Sequence, residues 1–145
     1  MRAILAAIFI SVFVSGPLAA QDQKIEAIEN VISSQLDAFL KDDFATAFTF
    51  ASPNIRSLFG SPDRFGMMVR QGYPMVWRRA DVQYVGVEDG PGFKMQKVLI
   101  TDQNGARHLL GYAMIQTPEG WQINGVQILR APEVGAWPYA GLRPR

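Results

Sequence analysis

Residues 81–130 decide the fold, and they read DVQYVGVEDGPGFKMQKVLITDQNGARHLLGYAMIQTPEGWQINGVQILR. Apolar and polar side chains alternate in four segments of this stretch, which is typical of β-strands. We predict strands over Asp81–Glu88, Phe93–Thr101, Ala106–Gln116 and Trp121–Arg130. The connections are four residues each and rich in Asp, Asn, Gly and Pro. Connections this short predict an antiparallel meander.

The last predicted strand contains a break in its alternation. Trp121 and Ile123 share one parity, whereas Val126 and Ile128 share the other. A β-bulge adds one residue to a strand, reverses the parity and bends the sheet. We therefore predict a bulge at Asn124-Gly125 and a curved sheet.

A helix is predicted from Gln23 to Leu40, ahead of the strands. Its apolar residues recur at three- and four-residue steps, as in an amphipathic helix packed on a core. Asp22, Glu26 and Glu29 are predicted to lie in its first turns, where carboxylates complement the helix dipole. The apolar positions are Ile25, Ile28, Ile32, Leu36, Phe39 and Leu40.

Three shorter helices are predicted before the strands. Asp42 or Asp43 is expected to cap the first of them. Ser52-Pro53 and Ser61-Pro62 each place a hydroxyl cap before a proline at the first helical position, and the last helix is expected to stop at Gly72. Helices followed by a bent antiparallel sheet predict an α+β fold, with the helices covering one face of the sheet.

The N-terminus is typical of a secretory signal peptide. Arg2 precedes the apolar stretch 3–14, and small residues lead to Ala20. The apolar stretch is shorter than the ~20 residues that span a bilayer. We expect cleavage near Ala20, a periplasmic or secreted protein, and no membrane anchor after cleavage.

The composition excludes several function classes. The 145 residues include no Cys and one His, which excludes disulfides, thiolate chemistry and a multi-histidine metal site, and we predict no cofactor. The net charge is +1, and removal of residues 1–20 takes away only Arg2, leaving 13 basic and 13 acidic residues. Nucleic-acid binding normally requires a basic patch, so we expect no nucleic-acid partner.

Residues 21–130 are predicted to form a single domain, followed by a Pro/Gly-rich tail from Ala131 to Arg145. The tail carries Trp137 and Tyr139. Two interpretations of these aromatic residues remain open: they seal their own molecule, or they present an anchor to a partner.

Several motifs resemble a known family. VISSQLDAFLKDDFATAFTFASP from Val31 is similar to the opening of NTF2-like (SnoaL-like) proteins, which fold as a cystatin-like cone. The match is closer to DUF4864, a family of exported bacterial proteins, in AFTFASPNIRSLFG from Ala47, in the helix at Met67-Met68-Val69 and in GWQINGVQILR from Gly120. The resemblance covers about Ile25–Arg130. It implies a cone with an interior but no particular activity, since NTF2-like folds host enzymes, partner-binding modules and ligand binders.

The chain departs from the enzymes of this superfamily that it resembles. Gln35 stands where the steroid isomerases place an oxyanion-donating tyrosine, and Ser52-Pro53-Asn54 replaces their acidic stretch. The dehydratase pattern of paired histidines cannot be met by one His. These departures count against both chemistries.

Two residues are candidates for acid/base catalysis. His108 is the only imidazole, and Tyr112 shares its parity on the same strand. A strand histidine just after a turn, either half-exposed or hydrogen-bonded, is the favoured interpretation of His108, since no pattern supplies the partner that orients a base. Asp102 is assigned to turn chemistry.

Clusters of charge have structural explanations as well. Asp37, Asp42 and Asp43 suggest paired carboxylates, but capping and solvation explain them sufficiently. Trp77-Arg78-Arg79, with Arg70, is a candidate anion-binding patch at the mouth of the cone. Solvated charges are the favoured alternative, because exposed charges usually contribute little to stability or binding.

The function predicted from the sequence is binding without catalysis, either of a small apolar ligand in the cone or of a protein partner on the sheet. A cone-pocket acid/base enzyme and a structural homodimer formed through the sheet are the alternatives. Phe44, Phe48, Phe65 and Met68 belong to a large apolar set that either lines a pocket or fills the interior. The candidate ligand-binding residues are Phe39, Phe50, Met67, Tyr73, Trp77, Arg78, Tyr112 and Trp121.

Overall fold

The structure is a computed structural model, and it describes residues 16–129. Most of the predicted signal peptide and the tail with Trp137 and Tyr139 lie outside the described residues. Five helices precede four strands, which confirms the α+β class. The elements are α1 (Pro17–Leu40), α2 (Phe44–Thr49), α3 (Pro53–Phe59), α4 (Pro62–Gly72), α5 (Pro74–Trp77), β1 (Arg79–Gly90), β2 (Phe93–Asp102), β3 (Arg107–Thr117) and β4 (Gly120–Leu129).

The four strands form the predicted antiparallel meander in the order β1-β2-β3-β4. The bulge in β4 is confirmed, because Ala113 pairs with Gly125 and Met114 with Ile123, which leaves Asn124 as the extra residue. Two further irregularities, which the sequence did not predict, interrupt β1 between residues 79 and 81 and between residues 84 and 86. Both edge strands of the sheet are therefore locally distorted.

The predicted start of the first helix was wrong by six residues, since α1 begins at Pro17 instead of Gln23. Proline is well placed at the first helical position. The first turns of α1 are exposed, so they lack the apolar spacing from which the helix start was predicted. Asp22, Glu26 and Glu29 consequently lie beyond the first turn, so the prediction that they complement its dipole was also wrong. Within residues 16–129, no helix is both long and apolar enough to cross a membrane.

The helix caps are formed by residues that the sequence predicted for this role. Asp43 caps α2, since its carboxylate accepts a hydrogen bond from the Thr46 amide at 3.1 Å. Ser52 and Ser61 cap α3 and α4, each accepting a bond from the amide three residues later at 3.3 Å. The one-turn helix α5 was not predicted, because Tyr73-Pro74 reads as a stop although proline also fits a first turn.

The core lies between α1 and one face of the sheet. Apolar residues of α1 at the three- and four-residue spacing are fully buried against aliphatic residues of β2 and β3. Tyr84 of β1 ties this layer together, since its hydroxyl donates to the Glu29 carbonyl at 3.0 Å and lies against Ser33. The largest buried side chains of the layer are Ile28, Ile32, Leu36, Phe39, Val98, Ile100, Leu110, Tyr112 and Met114.

The opposite face of the sheet also carries aliphatic side chains. Leu99, Leu109 and Leu129 pair directly across three neighbouring strands, and each is half-buried. Met95 extends over Gly111 on this face, because a Cβ added at Gly111 would lie 2.8 Å from its sulfur. We name this face, defined by the three leucines and Met95, the outer sheet face.

A short parallel bridge attaches the helical layer to the free edge of β4. The Ser52 amide donates to the Ile123 carbonyl at 2.8 Å, and the Ile123 amide donates to the Phe50 carbonyl at 2.9 Å. The Ser52 hydroxyl donates to the Asn124 side chain at 2.7 Å. The bridge fixes where α3 and α4 stand relative to β4, and the space between them is the cavity described next.

Candidate functional site

A cavity of about 220 Å³ lies between α3 and α4 on one side and β4 on the other, with α1 at its base. Among its fourteen lining residues, only Gln35 and Tyr73 carry a side-chain nitrogen or oxygen. Leu58, 74% exposed, marks the rim. The lining residues are Gln35, Phe39, Ala51, Ile55, Leu58, Phe59, Phe65, Met68, Val69, Tyr73, Val76, Ile123, Gly125 and Val126. We call this space the apolar cavity.

Aromatic rings form one wall of the apolar cavity. Phe65 of α4 is at the centre, with its ring centroid 5.9 Å from Phe39, 5.7 Å from Phe59 and 5.3 Å from Phe48. These separations lie in the range of favourable edge and tilted aromatic contacts. The wall is thus a packed unit whose shape depends on α1, α2, α3 and α4 together.

Gln35 supplies the buried polar group of the apolar cavity. The residue is 3% exposed, and its Nε2 donates to the Ala47 carbonyl at 3.1 Å. This is the side-chain hydrogen bond that Gln35 makes within residues 16–129, and the residue lines the cavity. The amide oxygen of Gln35 keeps its acceptor capacity.

Tyr73 supplies the second polar atom. It ends α4, and its hydroxyl donates to the Val126 carbonyl at 3.1 Å, which joins the helical layer to β4 across the cavity. With its hydrogen committed to this carbonyl, the phenolic oxygen retains acceptor capacity only.

A second cavity, of about 260 Å³, contains the only histidine. His108 Nε2 lies 2.8 Å from Asp102 Oδ2, while Oδ1 of the same carboxylate accepts from the Asn104 and Ala106 amides at 2.9 and 3.0 Å. The bond to His108, followed by these backbone bonds, lowers the pKa of Asp102. The residues lining this histidine cavity are Pro74, Met75, Trp77, Arg78, Asp102, Gln103, Asn104 and His108.

The structure confirms that His108 is a half-exposed, hydrogen-bonded strand histidine after a turn. No sequence pattern supplied an orienting partner for His108, and in the structure Asp102 is that partner. The two residues flank the β2–β3 turn, so their spacing in a hairpin was the available signal. Asp102 also performs the predicted turn chemistry.

The predicted anion patch is occupied by the protein's own groups. Arg78 donates two hydrogen bonds of 2.8 Å to Asp42 and one of 2.9 Å to the Phe39 carbonyl. Trp77 Nε1 donates to Asp42 at 2.8 Å, and this bond, followed by those from Arg78, lowers the pKa of the carboxyl. Asp42 thus joins the α1–α2 turn to α5 instead of capping a helix.

The other two arginines also have intramolecular partners. Arg79 is ion-paired with Asp37, and the Arg70 guanidinium lies 4.5 Å from the centroid of the Phe44 ring. The three guanidinium groups therefore face carboxylates or aromatic rings. They do not converge on one open space, which is the arrangement that an anion site requires.

Tyr112 lies inside the core and not in either cavity. It is fully buried, and its hydroxyl has no hydrogen-bond partner among residues 16–129. Burial raises its pKa far above the usual range for a phenol. The two catalytic candidates, His108 and Tyr112, therefore stand in different environments.

The family model described as a domain of unknown function (DUF4864) matches residues 21–136, which is most of the chain. The chain belongs to the DUF4864 family. The resemblance of its motifs to DUF4864 is thereby confirmed. Neither the curated proteins nor the solved structures that were compared include a match.

The structure of this DUF4864 protein separates the residues proposed to bind a ligand. Phe39 and Tyr73 line the apolar cavity, and Trp77 and Arg78 line the histidine cavity. Tyr112 is in the core, and Phe50 and Trp121 pack at its edge. Met67 is 54% exposed on α4 and lines neither cavity, whereas Met68 lines the apolar one.

The sequence did not single out Ile55, Phe59, Val76, Val126 or Gln35 as cavity-lining residues in the DUF4864 chain. Aliphatic residues on short helices carry no chemical signal beyond their periodicity. Gln35, an amide on the apolar face of α1, was the one detectable departure. Within the described residues, no three side chains among His, Asp and Glu cluster as a metal site.

Proposed function

We propose that this DUF4864 protein is a non-enzymatic binding protein that takes a small apolar ligand into the apolar cavity. The observation that carries the proposal is the lining: twelve of its fourteen residues have no side-chain nitrogen or oxygen, and the rim reaches solvent at Leu58. Ligand sites are typically concave and apolar with a few placed polar groups. Gln35 and Tyr73 are those polar groups.

The cavity volume defines the ligand size. An engineered apolar cavity of about 150 Å³ holds one benzene molecule. By proportion, a cavity of about 220 Å³ accommodates about nine non-hydrogen atoms, as in one substituted ring or a short alkyl chain. Because the rim is open, a longer chain extends into solvent past Leu58.

The acid/base enzyme is the weaker alternative for the apolar cavity. Its lining residues include no carboxylate and no imidazole, and general acid/base catalysis needs a group that titrates near the working pH. The burial of Tyr112 moves its pKa in the wrong direction for this role. His108 is in the other cavity, held by Asp102.

The biological setting is part of the same proposal. The apolar run at residues 3–14, followed by small residues up to Ala20, supports export to the periplasm or beyond. Helices packed on a bent antiparallel meander, with a cavity between the layers, support an NTF2-like cone. Native mass spectrometry of the protein purified from its own periplasm would report the cleavage position and any bound ligand mass.

The test of binding uses two adjacent methionines of α4. Met68→Trp places a larger side chain in the apolar cavity, whereas Met67→Trp adds the same bulk at an exposed position outside it. We expect butylbenzene to bind the wild type and Met67→Trp equally. The NMR chemical shifts of the protein's methyl groups measure this binding. Met68→Trp is expected to bind at least about ten-fold more weakly, because filling the cavity removes the apolar area available to the ligand. Equal binding by both variants would overturn the proposal.

Homodimerisation through the outer sheet face is a second candidate function. The cross-strand row of Leu99, Leu109 and Leu129 supports it, since contiguous apolar surface marks association sites. Leu109→Lys is then expected to convert a dimer to a monomer in analytical ultracentrifugation. Ile128→Lys, at a 55% exposed position on the opposite parity of β4, is the control. A wild type that remains monomeric at high concentration contradicts this candidate.

A further inference from the structure

We propose that the apolar cavity selects neutral ligands that carry a hydrogen-bond donor, such as a phenol or an alcohol, with the Gln35 amide oxygen as the acceptor. This inference rests on the proposed function, because it names the ligand class of the same cavity. It follows from the fixed orientation of one buried amide and from the lack of charge around it.

The orientation of the Gln35 amide is dictated by chemistry. Its partner at 3.1 Å is the Ala47 carbonyl, which can only accept a hydrogen bond. The nitrogen must therefore face Ala47, because an amide turned over would set two oxygens against each other. The oxygen must point away from the Ala47 carbonyl, and Gln35 borders the apolar cavity.

The Gln35 oxygen has acceptor capacity that residues 16–129 do not use. Within residues 16–129 it accepts no hydrogen bond, although the whole residue is 3% exposed. Buried polar atoms in proteins are nearly always paired, and a water or a ligand supplies the donor where the protein does not. The protein thus presents an oriented acceptor inside an otherwise apolar space.

The second polar atom of the cavity has the same character. The Tyr73 hydroxyl donates its hydrogen to the Val126 carbonyl, so its oxygen can only accept a further hydrogen bond. Both polar side chains of the lining therefore present acceptors to the cavity. A hydroxyl group can donate to these two oxygens and can also accept from the second Nε2 hydrogen of Gln35, whereas an ether or a ketone can only accept.

Charged ligands are excluded from the apolar cavity for a related reason. Among the described residues, the lining includes no Asp, Glu, His, Lys or Arg, so a carboxylate or an ammonium group would enter without a counter-charge. Burying an unpaired charge in an apolar site is strongly unfavourable. The preferred ligand is consequently a neutral molecule with one hydroxyl group and an apolar body of about nine non-hydrogen atoms in all, as the cavity volume allows.

The experiment compares two ligands of equal size on two proteins. 4-Ethylphenol and propylbenzene have the same number of non-hydrogen atoms, and their dissociation constants are measured for the full chain and for Gln35→Met. For each protein we take the ratio of the two dissociation constants. The cost of taking the ligand hydroxyl out of water is the same for both proteins, so it cancels when their ratios are compared. We expect the variant to lose about three- to ten-fold of the preference for the phenol, which is the range for one net hydrogen bond.

The outcomes separate the two proposals. If neither ligand binds the wild type, the proposed function fails. If both bind and Gln35→Met leaves the ratio unchanged, the function stands and the ligand class is wrong.

A spectroscopic measurement on the wild type covers the case in which Gln35→Met does not fold. The side-chain carbonyl carbon of Gln35 is expected to shift on binding 4-ethylphenol and to shift less with 4-ethylanisole, the methyl ether that cannot donate. Equal shifts with the two ligands would overturn the inference.

Discussion

Gly66, in the middle of α4, is held against the ring of Phe44. A Cβ added at Gly66 would lie 2.7 Å from Cδ1 and 2.8 Å from Cγ of that ring. The ring cannot simply turn away, since the Phe39 ring lies 6.0 Å from it and the Arg70 guanidinium covers it at 4.5 Å. Gly66→Ala is therefore a test of how tightly α4 and α2 are packed.

Two opposing effects determine the result of Gly66→Ala. Alanine in a helix interior is favoured over glycine by about 1 kcal/mol. Forcing a methyl group into a packed core costs about 1–3 kcal/mol. Since Cγ is close to the backbone of Phe44 and cannot move as a side-chain tip does, we expect the steric cost to prevail. The free energy of unfolding should fall by about 1 kcal/mol.

Urea denaturation followed by far-UV circular dichroism measures this change. Gly72→Ala, at the end of the same helix, is the control, because nothing lies within 4 Å of its added Cβ. That variant should be as stable as the wild type or slightly more stable. In a Phe44→Leu background, Gly66→Ala should lose its penalty. Our reasoning is refuted if Gly66→Ala stabilises the wild type, or if its penalty is the same in both backgrounds.

Three further predictions concern polar groups. Ser52→Ala should lower the free energy of unfolding by about 1–2 kcal/mol, and more than Ser61→Ala does, because the Ser52 hydroxyl is buried and bonds both the cap and β4. Calorimetry of the two variants checks this. Since the fold lowers the pKa of Asp102 below 3.8, its ionised form stabilises the protein above that pH, and this stability is lost as the pH falls through the folded-state pKa. Asp102→Asn should therefore flatten the acid limb of the stability curve, and a curve parallel to the wild type would contradict the assignment. Tyr112→Phe removes an unpaired buried hydroxyl and should leave the unfolding midpoint unchanged or raised. A marked loss in urea denaturation would reveal a hydrogen bond at that hydroxyl.

The sheet and the helix caps were predictable because they depend on local chemistry. The short turns, which have two, four and two residues in the structure, impose a meander. The parity break at Asn124 predicts a bulge, and a hydroxyl residue before proline starts a helix. Each of these signals lies within a few residues of its effect. The pairing of His108 with Asp102 follows the same local logic, since both flank one turn.

The candidate site was less predictable because it depends on how layers meet. Whether Met67 or Met68 enters the cavity is a matter of a 100° rotation about α4, which the docking of that helix sets. The docking depends in turn on the bridge between Ala51 and Ile123, a contact between residues far apart in the chain. No pattern in the sequence specifies that contact. Gln35 was visible as a polar residue on an apolar face, but its partner Ala47 was not.

The two irregular edges of the sheet bear on how this protein behaves in a crowded compartment. A strand with unpaired amides can recruit the same strand of another molecule and start an ordered aggregate. Along β1 the pairing breaks at Val85, and along β4 the bridge at Ala51 occupies the middle of the edge. The bridge cannot lengthen, because α3 begins at Pro53 and the Ser52 carbonyl, which would be the next acceptor, already accepts from the Arg56 amide at 2.9 Å. The same contact that opens the cavity therefore also prevents the sheet from growing by adding another molecule along the edge of β4.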